Sequence, residues 1–131
     1  MAQQETTFHP QALADEQYIN LTTYRKNGNA VRTPVWFVEL DGKVYAKTDA
    51  QAWKVKRIRN NSHVRFAPCD ARGNIHGETF NGSAELHQVN SATANRVQNA
   101  MNKKYGLMVR AFDLFYKIRQ RVYIYIEITP R

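Results

Sequence analysis

The sequence predicts a mainly β domain with helices, an antiparallel barrel of six strands in the order β-β-β-α-β-β-α-α-β. Three observations lead there. Short segments of period-two alternation recur between turn residues. The strands come in runs, without the strand–helix–strand rhythm of a doubly wound sheet. Glycines at 77 and 82 fall inside the longest late segment of strand character, as in a sheet that curves to close.

The chain has 131 residues, 43% of them hydrophobic and 23% charged, which fits one folded domain with a buried core and not a disordered chain. Residues 1–16 are polar, contain Pro10, and are expected to form an N-terminal arm with a helical turn around Leu13. The domain proper is expected over 17–131.

From Gln17 the segment "QYINLTTY" sets Ile19, Leu21 and Thr23 against Tyr18, Asn20 and Thr22, the alternation of a strand. Asn27-Gly28 predicts a hairpin of type I′, in which both central residues take positive φ. "AVRTPVWFVEL" is the second strand, and Asp41-Gly42 turns it into a third, "KVYAKT". Pro34 cannot donate to a ladder, so it marks an edge or a bulge, where backbone groups are free to face a ligand. Residues 49–60 read as a helix capped by Thr48 or Asp49, with Val55 and Ile58 packing inward. "HVRFAPC" returns to strand, "DARGN" turns, and "IHGETFNGSAELHQV" is a long strand. Asn90 or Ser91 caps a helix towards Lys104 that Gly106 stops. "LMVRAFDLFYKIR" is a further helix with Phe112, Phe115 and Ile118 near one stripe. "RVYIYIEIT" closes the chain, with Val122, Ile124, Ile126 and Ile128 alternating against Tyr123, Tyr125, Glu127 and Thr129. Internal repeats and low-complexity segments are absent from the sequence.

The formal net charge of +8 calls for an anionic partner: nucleic acid, an acidic membrane surface or a phosphorylated small molecule. The start carries no basic region followed by an apolar run, and no apolar stretch is long enough to span a bilayer. Cys69 is the only cysteine, which excludes an intrachain disulfide. A cytoplasmic protein is the expectation.

The charge concentrates in "DAQAWKVKRIRNN", residues 49–61, where Trp53 leads Lys54, Lys56, Arg57 and Arg59. On a helix, Lys54 and Arg57 form one cationic edge, and Lys56 and Arg59 another. A solvated helix face is the plain reading of such a run. Here the cations follow a strand-to-helix turn whose free N–H groups attract an anion, and Thr48 adds a hydroxyl, so the segment is a candidate phosphate site.

Four stretches in register carry a resemblance: Arg32-Thr33-Pro34-Val35-Trp36-Phe37, then Thr48, then Lys54-Val55-Lys56-Arg57-Ile58-Arg59-Asn60, then Ala67-Pro68-Cys69-Asp70-Ala71-Arg72-Gly73. With the closing "KKYGLMVRAFDLFYKIR", they make the chain after residue 16 resemble the flavin and deazaflavin oxidoreductases related to pyridoxamine 5′-phosphate oxidase. Within that class it resembles the branch described as probable F420-dependent. The resemblance implies a six-stranded split β-barrel that forms a homodimer, with the cofactor, coenzyme F420 or FMN, in a cleft at the interface. It implies that Thr33, Pro34, Val35 and Trp36 run beside the isoalloxazine ring, largely through backbone groups. Thr48, Lys54, Lys56 and Arg57 would hold the cofactor phosphate. It implies an oxidoreductase that moves a hydride to or from a small organic substrate, with no catalytic residue identified. Such chemistry belongs to the cofactor and needs no dedicated acid–base pair, and the sequence shows none.

Two other readings stand beside this one. A small basic barrel can bind single-stranded nucleic acid, although the cations here lie on helices more than between aromatic strand positions. A non-catalytic protein can hold flavin or haem on the same fold. No metal site is expected, because His9, His63, His76 and His87 lack ligand spacing. Cys69 reads as a buried inert thiol, and Asp70 and Arg72 as residues of a turn. Among Tyr18, Tyr24, Tyr45, Trp36 and Trp53, Trp36 is singled out for stacking on a planar ligand. Arg110 and Lys117 read as parts of a solvated helix face.

Overall fold

The structure is a computed structural model that describes residues 7–131. The strands are β1 (Tyr18–Tyr24), β2 (Ala30–Leu40), β3 (Lys43–Asp49), β4 (His63–Cys69), β5 (Phe80–Gln88) and β6 (Tyr123–Pro130). The helices are α1 (Trp53–Asn60), α2 (Ala92–Tyr105) and α3 (Leu107–Ile118). All strand pairs are antiparallel, and the sheet closes in the order β1-β2-β3-β6-β5-β4. The predicted element order and the mainly β class both hold.

The interior is filled by alternate residues of every strand, among them Ile19, Leu21, Phe37, Val44, Val64, Phe66, Phe80, Ile126 and Ile128. Side chains of this size contribute about 1.5–3 kcal/mol each on full burial. Ile58 of α1 joins this cluster. So do Leu13, in the 3-10 turn Pro10–Leu13, and Phe8, whose ring meets Phe66 and Phe80 edge-on at 5.4 and 5.2 Å. This part of the predicted arm is therefore packed on the core, and residues 1–6 of the arm lie outside the described residues. A second cluster forms outside the barrel, where Ala94, Val97 and Met101 of α2 cover Val38, Tyr45 and Tyr125.

Local chemistry explains where the elements depart from expectation. Asp41 and Gly42 both take positive φ, 54° and 80°, as a type I′ turn requires. At the first hairpin only Gly28 does, at 89°, and the Arg25 N–H reaches the Asn29 carbonyl. That connection is a three-residue loop with glycine in the left-handed position, and not the predicted type I′ turn. Helix α1 begins at Trp53, four residues later than expected. Its N-cap is Ala52 without a side-chain cap, because Thr48 remains in β3 and the Asp49 carboxylate accepts from the Gln51 N–H and pairs with Arg121. The long strand predicted over 75–89 is shorter. Ile75 makes one bridge to Cys69, and β5 starts at Phe80. Gly82 is required by proximity: a Cβ there would lie 2.6 Å from Ile128 Cγ2 and 3.3 Å from Phe66 Cε1. Ser91 caps α2 by accepting from the Ala94 N–H, and Gly106 ends that helix and starts α3.

Among the described residues, no helix is long and apolar enough to cross a membrane.

Candidate functional site

The site originates in a mismatch between two ladders. β2 pairs with β1 along Ala30–Trp36 but with β3 only along Phe37–Leu40. β3 in turn pairs with β6 alone over Lys47–Asp49. Between Pro34–Trp36 and Lys47–Thr48 the strands therefore diverge, and each leaves an edge without a ladder partner. Pro34 is tolerated there because an edge has no ladder on its far side. It sits opposite Asn20 in an unbroken register, so it marks an edge and not a bulge.

A cavity of about 270 Å³ opens in this gap. Pro34, Val35 and Trp36 form one wall, Lys47 and Thr48 another, and Lys54 from the first turn of α1 closes one end. Phe112, Asp113 and Tyr116 of α3 lie over it, beside Tyr123 of β6. Trp36 is held by stacking on Tyr105 at 4.9 Å and by the edge of Phe112 at 5.1 Å.

Five of the eight residues proposed from sequence thus share one cavity: Pro34, Val35, Trp36, Thr48 and Lys54. Thr33 lies one residue outside it, paired with Leu21. Lys56 and Arg57 line a separate cleft with Tyr24, Arg25, Lys26 and Trp53. There the Arg57 guanidinium donates to Thr23 Oγ1 at 2.7 Å, and Lys56 Nζ lies 4.2 Å above the Trp53 ring. Lys54 and Arg57 are one turn apart on the helix, and α1 directs them to different clefts.

No carboxylate lies within ion-pair distance of Lys54 among the described residues. Burial, reinforced by the Arg57 charge, holds its pKa below the usual lysine range. An anion at that end of the cavity would relieve both effects.

Sequence reasoning missed a second partly buried charge of the site. The Lys47 side chain is 8% exposed and its ammonium donates to Asp113 Oδ1 at 2.5 Å and to Gln98 Oε1 at 2.6 Å. It also lies 3.9 Å from the centre of the Tyr123 ring. Burial lowers the Lys47 pKa, and the Asp113 carboxylate opposes that shift. The Tyr125 hydroxyl donates to Gln98 Oε1, and the Gln98 amide donates to Asp113 Oδ2, so the pair belongs to a network between barrel and helices. Tyr123 stacks on Tyr116 at 4.0 Å, and burial first, then the Asp113 charge, raises its pKa. One signal was available: Asp113 is the single acidic residue of α3, on a helix otherwise apolar or basic.

Other singled-out residues lie elsewhere. Cys69 is 3% exposed, and burial pushes its thiol up to about 11, as an inert cysteine requires. Asp70 holds its turn by accepting from the Arg72 and Asn74 N–H groups, and those hydrogen bonds, chiefly from Asn74, lower its pKa.

These features define a class: a closed six-stranded antiparallel barrel, split on one side, with a cavity between a free strand edge and a cationic helix start. The chain belongs to the pyridoxamine 5′-phosphate oxidase family, whose family model matches residues 7–130. No curated protein matches it in sequence. Solved structures share the fold at low identity. The haem storage protein HutZ from Vibrio cholerae is 12% identical over 92% of this chain and 86% of its own, with a TM-score of 0.72. A putative pyridoxamine 5′-phosphate oxidase from Listeria innocua is 16% identical over 92% and 89%, with a TM-score of 0.66. An F420 reductase is 16% identical over 94% and 93%, with a TM-score of 0.61.

Proposed function

We propose that the chain is an oxidoreductase that binds coenzyme F420 or FMN in the split and moves a hydride to or from a small organic substrate. One observation carries this reading. A free β2 edge, an aromatic wall and the Lys54 ammonium, without a carboxylate partner among the described residues, converge on a single cavity. A planar heterocycle with a phosphorylated tail presents the complementary set: ring heteroatoms for the backbone edge, a flat face for Trp36 and an anion for Lys54. Similarity in fold to an F420 reductase supports the same class.

Thr48 and Lys54 are assigned to the phosphate, with Lys56 and Arg57 adding positive potential from the neighbouring cleft. Backbone groups of Thr33, Pro34, Val35 and Trp36 orient the ring. When bound, the cofactor supplies the hydride chemistry itself. Lys47 and Asp113 keep one charged pair fixed beside the cavity, with Lys47 largely shielded from solvent, which strengthens the field of the pair on whatever lies next to it.

A second copy of the chain completes the site in this reading. Small-molecule pockets run from roughly 300 to 1,000 Å³, and the cavity here, about 270 Å³, falls short of that range. Phe112 both lines it and belongs to the exposed apolar face of α3, so a homodimer through that face would deepen the cavity. Haem is less well served, since no histidine is among the residues lining the cavity. A specific observation favours one other reading. Trp53, 70% exposed, stands with Tyr24 among Arg25, Lys26, Lys56 and Arg57 in the separate cleft, an arrangement suited to single-stranded nucleic acid.

Parallel equilibrium titrations with FMN, F420 and a short single-stranded oligonucleotide, at two salt concentrations, test the proposal. Saturable binding of one of the two cofactors is expected. Lys54→Ala is expected to weaken it by about ten- to a hundred-fold, the loss of one charge-assisted contact. Oligonucleotide binding alone, collapsing as salt rises, would replace the enzyme with a nucleic-acid binder.

A further inference from the structure

On the outer face of the barrel, strand register assembles three metal-ligating side chains that linear spacing does not reveal. Glu85 and His87 are two residues apart on β5 and therefore point to the same face. Glu127 of β6 is the direct cross-strand partner of Glu85, and His87 faces Tyr125 in the same ladder. One ligand atom from each of Glu85, His87 and Glu127 lies within 4.8 Å of the others.

Two features of the cluster point to a cation. Glu85 and Glu127 are like charges directly opposite one another, a pairing that disfavours a sheet, and the Lys43 ammonium, 3.6 Å from Glu127 Oε2, offsets it only on the Glu127 side. His87 Nε2 is shielded from solvent and has no hydrogen-bond partner among the described residues, although Glu127 Oε1 is 3.6 Å away. Buried polar atoms are ordinarily satisfied, and an orphaned imidazole nitrogen beside two carboxylates is a donor without an acceptor or a lone pair without a cation.

We propose that Glu85, His87 and Glu127 form a binding site for a divalent transition-metal ion of the zinc type. Imidazole selects such ions over magnesium or calcium, and three protein ligands leave a fourth position for water. Zinc bonds to nitrogen and oxygen of about 2.0–2.2 Å place tetrahedral ligands roughly 3.3–3.6 Å apart. The separation of His87 Nε2 and Glu127 Oε1, 3.6 Å, already lies at that spacing. Glu85 is exposed and closes the remaining distance by a rotamer change.

The surroundings supply an outer shell and a competitor. The Tyr45 hydroxyl donates to Glu127 Oε1 at 3.2 Å and fixes that carboxylate, as hydrogen-bonded groups behind metal ligands do. Lys43 Nζ lies 3.6 Å from Glu127 Oε2 and occupies part of the field that a metal would use. A bound cation and the Lys43 ammonium therefore compete for the charge of Glu127.

The test is calorimetric titration of the full chain with zinc chloride, paired with thermal unfolding with and without the ion. One zinc per chain is expected, with a rise in melting temperature. His87→Ala and the exposed Glu85→Gln are each expected to weaken binding by about tenfold or more, the smaller end of what perturbing a metal site costs. Lys43→Ala is expected to tighten it, an effect that adventitious surface binding does not produce. Circular dichroism of Glu85→Gln guards against loss of fold as the cause. Zinc affinity unchanged in both ligand variants would assign the ion to other pairs, His76 with Glu16 or His9 with Glu78, and overturn the proposal. Absence of stoichiometric binding at micromolar zinc would overturn it equally.

Discussion

Helices α2 and α3 follow one another across Gly106, yet they turn opposite faces to the barrel. α2 buries an apolar stripe: Ala94, Val97 and Met101 are 2%, 0% and 1% exposed. α3 is the more apolar sequence, and its stripe points away. Leu107, Met108, Phe112, Leu114, Phe115 and Ile118 are all exposed, and Val109 is its one buried residue. What α3 turns inward is Val109, Asp113 and Tyr116, over the cavity. α2 is thus fastened mainly by its apolar stripe, and α3 by one buried valine, the Tyr116–Tyr123 stack and a charged network, which leaves most of the apolar side of α3 for another surface. A contiguous face of that kind marks an interaction site, and the homodimer proposed above would cover it.

A new charge on the apolar stripe of each helix separates the two roles most sharply. Val97→Asp places a carboxylate in the seam between α2 and the barrel, where it has no partner. Its cost is expected to exceed about 4 kcal/mol, enough to abolish a cooperative thermal transition. Phe115→Asp is expected to leave the fold intact and to convert a dimer to a monomer in sedimentation velocity. Equal loss of folding in both variants would mean that α3 is held by its apolar face after all.

The inward side of α3 gives the next largest effect. Asp113→Ala leaves the Lys47 ammonium buried without its carboxylate. Removing one partner of a buried pair costs about 3–5 kcal/mol, and with the Asp113 side chain 35% exposed the lower end is expected. Urea denaturation would read it. The pair of substitutions Lys47→Met and Asp113→Leu is expected to restore most of the loss, since an apolar pair of similar shape carries no desolvation penalty. A double variant as unstable as Asp113→Ala would show that the rest of the network, not the ion pair, fastens the helix.

How far the sequence discloses this arrangement depends on the range of the interaction. Alternation, turn residues and caps act within a few residues, so the element order, the Asp41-Gly42 turn and the Ser91 cap could be read directly. Thr48 and Lys54 could be expected together because they flank one strand-to-helix turn, and both line the one cavity. The partition of Lys54 from Arg57 was not, since it depends on which clefts the barrel sets beside α1. Lys47 and Asp113 meet across 66 positions, and nothing near Lys47 announces a carboxylate. The α3 stripe was visible as a stripe, but periodicity fixes only that apolar residues share a face. It does not say whether that face meets the barrel or a partner.

The smallest effect expected is a pH dependence at the far end of α2. Lys104 Nζ donates to the Phe37 carbonyl at 3.0 Å and lies 3.5 Å from the centre of the Phe37 ring, at the point where the ladder between β2 and β3 begins. The side chain as a whole is exposed, but desolvation of its ammonium against Phe37 lowers its pKa to about 8, against an ordinary 10.5, with the Glu16 charge opposing. Between these values the unfolded chain holds more protons than the folded one, so stability rises with pH through that window. Below pH 8 the lysine is charged in both states and the penalty is fully present. Near pH 10 the trend reverses, because Tyr105, Tyr123 and Tyr125 have raised pKa values when folded and ionise first in the unfolded chain. Melting temperatures from pH 8 to about 9.5, wild type against Lys104→Met, isolate the contribution. A shallower rise in the variant is expected; identical slopes would mean that the ammonium stays fully hydrated in the folded chain.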